Sequence, residues 1–180
     1  MDELVDKIRK LLDSKKTSLI AIDGIPGSGK TTLCDQISRI LSGVEIIKID
    51  NFYDPVSENT DFDRLIKEVF APLKINKTAY FKIFDWNSNS FTGVVQVQPG
   101  GVVIIEGISA LDRRIVSQYD LKIWVDCPVE VGLRRVLKRD KVKFKKMWQE
   151  KWMPEIIDFV NRQKPYEKAD ILISYRDIHE

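Results

Sequence analysis

The sequence predicts a three-layer α/β fold, with a mostly parallel sheet between two layers of helices. Three observations carry this. Five short apolar runs recur along the chain, at 18–23 (SLIAID), 44–49 (VEIIKI), 101–105 (GVVII), 121–125 (LKIWV) and 171–173 (ILI). Stretches of helical or irregular pattern separate them, which calls for crossover connections and parallel strands rather than hairpins. The chain has 180 residues, enough for one domain with a two- or three-layer core.

Each element follows in order. Residues 2–14 carry Leu4, Val5, Ile8, Leu11 and Leu12, the stripe of an amphipathic helix that covers the sheet. The first strand closes at Gly24 and Pro26, and a helix over 31–41 stops at Gly43. After the 44–49 strand, 61–70 reads as a helix ending before Pro72. Residues 78–84 and 91–97 are β-rich and flank the polar 87–90, a hairpin-like excursion. Helices are expected at about 109–118 and 129–139. A long one over 143–163 puts Met147, Trp148, Trp152, Ile156, Phe159 and Val160 on one stripe, bent at Pro154. In such sheets ligands bind beyond the carboxyl ends of the strands.

Composition excludes several classes. Hydrophobic residues make up 43% and charged residues 31%, which argues against disorder. Lys plus Arg is 29 against 27 Asp plus Glu, so a net charge of +2 gives no reason to expect nucleic acid or a membrane surface as partner. No apolar run is long enough to span a bilayer, and the N-terminus MDELVDKIRKLLDSKK does not read as a signal peptide. With only Cys34 and Cys127, no disulfide scaffold is expected and a cytoplasmic location is. The single His179 excludes a histidine triad, leaving carboxylates, Lys, Arg and hydroxyls to carry the chemistry.

The sharpest motif is Gly24-Ile25-Pro26-Gly27-Ser28-Gly29-Lys30-Thr31, which fits G-x-x-x-x-G-K-[ST] between an apolar strand and a helix. Glycines let successive amides turn inward as an anion nest, and the helix N-terminus adds partial positive charge. Lys30 supplies an ammonium for the outer phosphates, and the Thr31 hydroxyl can ligate Mg²⁺. Gly24, Gly27, Ser28, Gly29, Lys30, Thr31 and the following Thr32 are therefore candidate contacts for a nucleoside triphosphate, expected to be ATP.

Two carboxylates end strands. Asp50 closes the second, where it serves either as a base that takes a proton from an attacking hydroxyl or as a turn residue before Asn51. Glu106 closes the third, as a magnesium-side carboxylate or a cap on the next helix. Residues 132–146 hold Arg134, Arg135, Lys138, Arg139, Lys141, Lys143, Lys145 and Lys146 against one Asp140. That density reads as a phosphate-clamping lid, an RNA-binding strip or a solvated helix face. Trp148 and Trp152 are expected in the core or over the sheet, while Trp86 either stacks on a planar substrate or packs.

Taken together, these segments resemble the uridine kinase-like family of small-molecule kinases, itself similar to phosphoribulokinase, over about residues 17–174. The resemblance rests on the glycine loop, Asp50-x-Phe52-Tyr53, Phe62-Asp63, Phe84-Asp85 and Ile105-Glu106-Gly107-Ile108. It continues through Val125-Asp126, Leu133-x-Arg135, Arg139-Asp140 and Lys164-Pro165-Tyr166-x-x-Ala169-Asp170. It implies a P-loop NTPase fold with sheet order 2-3-1-4-5 and transfer of the γ-phosphoryl of ATP, with Mg²⁺, to a hydroxyl acceptor, usually a nucleoside. By the same resemblance Asp50 is the acceptor-side base, with Lys30, Arg135 and Arg139 as its catalytic partners. Tyr53, Phe84, Asp85 and Trp86 then line the acceptor pocket, and about 132–150 form a lid within a single domain, 1–180.

The acceptor half departs from the family. Phe84 stands for a Tyr, Asn89 for a His, Phe91 for an Arg and Gly132 for an Arg, and 57–61 offers no Asp-His-Pro element. Such losses change discrimination among acceptors. The competing expectation is a nucleotide-binding regulatory or assembly protein of the same fold without acceptor phosphorylation. A small-molecule hydroxyl acceptor is the expected partner, with a homo-oligomer left open.

Overall fold

The computed structural model describes residues 2–12, 16–85, 88–140 and 142–178. Its centre is a parallel sheet of β1 (Ser18–Gly24), β2 (Val44–Lys48), β3 (Val102–Glu106), β4 (Leu121–Asp126) and β5 (Ile171–Ser174). The spatial order is β2-β3-β1-β4-β5. β1 and β3 are buried at every residue, whereas β2 and β5 are only partly covered. That gradient places the two apolar runs at the centre and the more polar ones at the edges.

Alternation along each strand divides the core into two layers. Ile20 and Ile22 of β1, with Val102 and Ile104 of β3, face helices Asp2–Leu12 and Lys30–Ile40 through Leu4, Val5, Ile8, Leu33, Cys34 and Ile37. Leu19 and Ala21, with Val103 and Ile105, face the opposite layer. There the helical run 62–74 contributes Phe62, Leu65, Val69 and Phe70, and the antiparallel hairpin Ala79–Asp85/Ser90–Val97 contributes Phe81 and Val97. The hairpin forms its own two-stranded sheet, as the 78–97 pattern predicts.

Three elements differ from expectation. The helix at 61–70 does not stop before Pro72. It passes through a π turn, Ile66–Phe70, in which the Ala71 amide donates to the Ile66 carbonyl, and Pro72 opens a new α segment, Ala71–Lys74. The chain solves Pro154 in the same way, with the Met153 amide on the Trp148 carbonyl and Pro154 in the first turn of Met153–Gln163. A proline is tolerated in a first turn because its missing N–H would have no partner there, and the wide turn absorbs the mismatch.

The expected helix at 109–118 is instead a series of turns ending in the 3₁₀ turn Val116–Gln118. Side chains capture its amides: Asp23 accepts from Leu111 at 2.9 Å, and Asp112 accepts from Arg114 at 2.9 Å. Side chain to backbone bonds of this kind compete with a helical ladder. Asp50 does not end β2; it follows in a 3₁₀ turn, Ile49–Phe52.

A candidate phosphoryl-transfer site at the strand ends

The order β2-β3-β1 places three neighbouring carboxyl ends within about 10 Å of one another. From β1 issues the glycine loop, from β3 Glu106, and just past β2 Asp50. They border one cleft of about 580 Å³, lined by Gly27, Gly29, Lys30, Thr31, Thr32, Lys48, Asp50, Glu106, Arg135, Arg139 and Trp148, with Pro26, Gly107, Ile108 and Val136.

The loop has the geometry of an anion cradle. Gly27 has a φ of +76°, and a Cβ there would run into the carbonyl of Gly132. Conversely, a Cβ on Gly132 would lie 2.5 Å from the Pro26 carbonyl oxygen. Gly132 therefore lets helix Val129–Arg139 press against the loop, which is why an arginine has no room at that position. Ser28 is fully buried, and its Oγ has no hydrogen-bond partner among the described residues. Lys30 is 8% exposed, and its ammonium is folded back onto the Gly24 and Ile25 carbonyls at 2.8 and 3.0 Å. Burial lowers its pKa, against the pull of Asp23, Glu106 and Asp50.

The acids complement it. The Thr31 hydroxyl donates to Glu106 Oε1 at 3.2 Å, while Glu106 Oε2 is buried and has no partner among the described residues. Burial raises the Glu106 pKa, against Lys30 and the Thr31 bond. Asp50 faces the cleft, whose walls exclude enough water to raise its carboxyl above the usual range, while Lys30, Lys48 and Arg139 pull it back down. A hydroxyl and a carboxylate with one oxygen unpartnered among the described residues, beside a glycine loop at a helix start and an ammonium, suit a triphosphate and a hard divalent cation such as Mg²⁺.

On the far wall, Arg135 donates to the Gly27 carbonyl at 3.0 Å and lies over the Tyr175 ring at 5.0 Å. Arg139 pairs with Asp140 at 2.7 Å, which also accepts the Trp148 indole N–H at 2.6 Å. The Asp140 bond raises the Arg139 pKa, and the Arg139 bond lowers that of Asp140. Trp148 and Trp152 are thus not core residues: both are half-buried, 5.0 Å apart ring to ring, with Trp148 on the cleft.

Of the expected acceptor residues, Tyr53, Phe84 and Asp85 do not line this cleft. Tyr53 packs on Phe84 at 5.2 Å, and Phe84 on Phe91 at 5.5 Å. Asp85 accepts the Ser88 hydroxyl at 2.9 Å, and Trp86 lies outside the described residues. Sequence reasoning missed Arg64, whose guanidinium sits 4.9 Å from Phe52 and 4.4 Å from Phe91 and pairs with Glu68 at 3.0 Å. It also missed Asp23, only 1% exposed, although an acid inside an otherwise apolar strand is itself a signal.

Comparison with known proteins agrees with this fold. The profile of the family described as AAA domain matches residues 20–158. A uridine kinase from Mycoplasma pneumoniae is 31% identical over 94% of this chain and 90% of its own. One from Limosilactobacillus reuteri is 31% identical over 72% of this chain and 68% of its own. In fold, the chain is similar to a possible uridine kinase from Bacillus stearothermophilus, with a TM-score of 0.67, 19% identity and coverage of 95% and 99%. The fold is shared more distantly by D-glycerate 3-kinase from Cryptococcus neoformans, at a TM-score of 0.56 and 15% identity over 97% and 92%. The acid, lysine and glycine loop gathered at one sheet end thus sit on a known scaffold, and the chain belongs to the uridine kinase family of ATP-dependent, small-molecule P-loop kinases.

Proposed function

We propose that this single domain transfers the γ-phosphoryl group of ATP to a hydroxyl of a small molecule, a nucleoside being the first acceptor to test. The observation that carries the reading is the shared cleft of Lys30, Asp50 and Glu106 at the carboxyl ends of β1, β2 and β3. Gly24, Gly27, Ser28, Gly29, Lys30, Thr31 and Thr32 hold the triphosphate. Thr31 and Glu106 hold Mg²⁺, which when bound neutralises charge on the phosphate oxygens.

Asp50 takes the proton of the attacking hydroxyl and aims it. Burial raises its pKa, which makes the ionised form a stronger base than an ordinary carboxylate. Lys30 leaves the Gly24 and Ile25 carbonyls for the phosphates, an exchange of weak neutral partners for a charged one. Residues about 132–150 act as a lid. Arg135 and Arg139 come from it to the transferring group, Arg139 by release from Asp140. Closure excludes water, which otherwise accepts the phosphoryl group. Tyr53, Phe84 and Asp85 border the acceptor. A cytoplasm, with its supply of ATP, is the setting this requires.

The test is a coupled assay of ADP release against nucleosides, other riboses and sugar phosphates, with and without Mg²⁺. Acceptor-stimulated turnover that Asp50→Asn abolishes is expected. Tight ATP binding with only background hydrolysis, unaltered by Asp50→Asn, would instead make the chain a nucleotide-binding regulator.

A further inference from the structure

Asp23 is a buried carboxylate in a strand that otherwise needs only apolar side chains. It does not line the cleft. Its two oxygens take different partners, one on the next residue and one on a segment 88 residues away. Oδ1 accepts the Gly24 amide at 2.7 Å, and Oδ2 accepts the Leu111 amide at 2.9 Å. Gly24 is the residue whose carbonyl holds the Lys30 ammonium. Leu111 lies five residues past Glu106, in a turn that begins where the Gly107 amide donates to the Ile22 carbonyl at 3.1 Å. One side chain therefore ties the base of the phosphate loop to the segment that leaves Glu106.

We propose that Asp23 is a positioning residue that holds the phosphate loop and the 107–112 turn in one register, so that Lys30 and Glu106 meet the same phosphates. The inference rests on the kinase reading above and adds to it a residue that touches no substrate. The chemistry explains the choice of side chain. Only a carboxylate presents two acceptors with charge to both amides. An Asn offers one oxygen and turns an NH₂ toward the other amide, leaving a buried N–H without an acceptor. Burial raises the Asp23 pKa, while the Leu111 amide, Lys30 and the Gly24 amide pull it back toward the ionised form. Movement of the loop on nucleotide binding then reaches Leu111 through Asp23.

Amide hydrogen exchange on the full chain tests this without any acceptor. In the wild type, ATP with Mg²⁺ should slow exchange at Leu111 as well as at Gly27, Ser28 and Gly29. In Asp23→Asn, exchange at Leu111 should quicken tenfold or more without nucleotide, and ATP should protect the loop amides only. A purely structural role would loosen Leu111 equally with and without nucleotide. In the assay, kcat of Asp23→Asn should fall tenfold or more, with KM for ATP within threefold. If that variant does not fold by circular dichroism, Asp23→Ser, which keeps one acceptor, carries the same expectation. Nucleotide-linked protection of Leu111 that is absent from the wild type, or that survives in the variant, overturns the proposal. Wild-type protein that binds ATP but phosphorylates no acceptor overturns the kinase reading instead and leaves the exchange pattern to judge Asp23.

Discussion

The two ends of the proposed reaction path are built from different materials. At the phosphate end the work falls to backbone amides, a buried lysine and buried acids on the most enclosed strands of the sheet. At the acceptor end the candidates are rings, Tyr53 on Phe84 on Phe91, backed by Arg64 and borne partly on a hairpin strand exposed along most of its length. A triphosphate is the same for every member of such a fold, so its cradle can be made of main chain and held rigid. An acceptor differs from enzyme to enzyme, so it is met by side chains on an element whose substitution costs the core little.

Asp50 stands on the border between the ends, and its loss should have the largest effect. Asp50→Asn should cut kcat by about 10²–10⁴-fold while KM for ATP stays within about threefold. The wild-type rate should also fall as pH drops through the raised pKa of this carboxyl, because only the ionised form accepts a proton. The acid limb of the kcat profile should lie above the ordinary carboxylate range. A rate flat down to pH 4 would remove Asp50 from the border.

Lys30→Ala should cost about 10²–10³-fold in turnover whatever the acceptor, since it strips charge from the shared end. An effect that varied from acceptor to acceptor would break the division between the ends.

Asp23 gives the buried end a pH signature. Burial pushes its pKa from 3.8 to about 6, so the folded chain holds this proton more tightly than the unfolded one. The stability this gives is complete below pH 3.8 and is lost as pH rises to about 6. At about 1.4 kcal/mol per tenfold, the loss is about 3 kcal/mol. Urea unfolding across that window should show the fall, and Asp23→Asn should flatten it.

Gly132→Ala tests how tightly helix Val129–Arg139 is pressed on the loop. Overpacking should cost about 1–3 kcal/mol, with Tm lower by about 2–4 °C for each. Nucleotide should restore less stability than in the wild type. The smallest effect is expected from Phe91→Ala at the exposed end, which removes a ring from Arg64 at about 0.5–1 kcal/mol. KM for the acceptor should change and KM for ATP should not. A change in KM for ATP alone would show that the rings belong to the nucleotide.

Much of this was legible in the residues. The glycine loop, its strand and its helix follow from spacing, and the five strands from apolar runs, four of them closed by glycine or an acid. The expectations at 61–70 and 109–118 part from the structure for opposite reasons: the first helix forms but runs on, and the second does not form. In the first, Pro72 reads as a stop, but a π turn lets the helix resume. In the second, a helical pattern was overridden because Asp23, 88 residues away, takes the Leu111 amide. Trp148 and Trp152 fit an apolar stripe, yet Asp140 and the cleft hold Trp148 at the surface.

The sequence by itself determined the cradle, because an anion nest needs only neighbouring residues to adopt given backbone angles. It determined the layers too, because burial follows the period of each element. Only the tertiary structure decided which side chains meet the cradle: Arg135 on the Gly27 carbonyl across 108 residues, Gly132 against Pro26, and Asp23 between Gly24 and Leu111. Local pattern fixes what lies within one turn or one pleat. Contacts between distant segments depend on how the layers pack, and that is settled by the whole core at once.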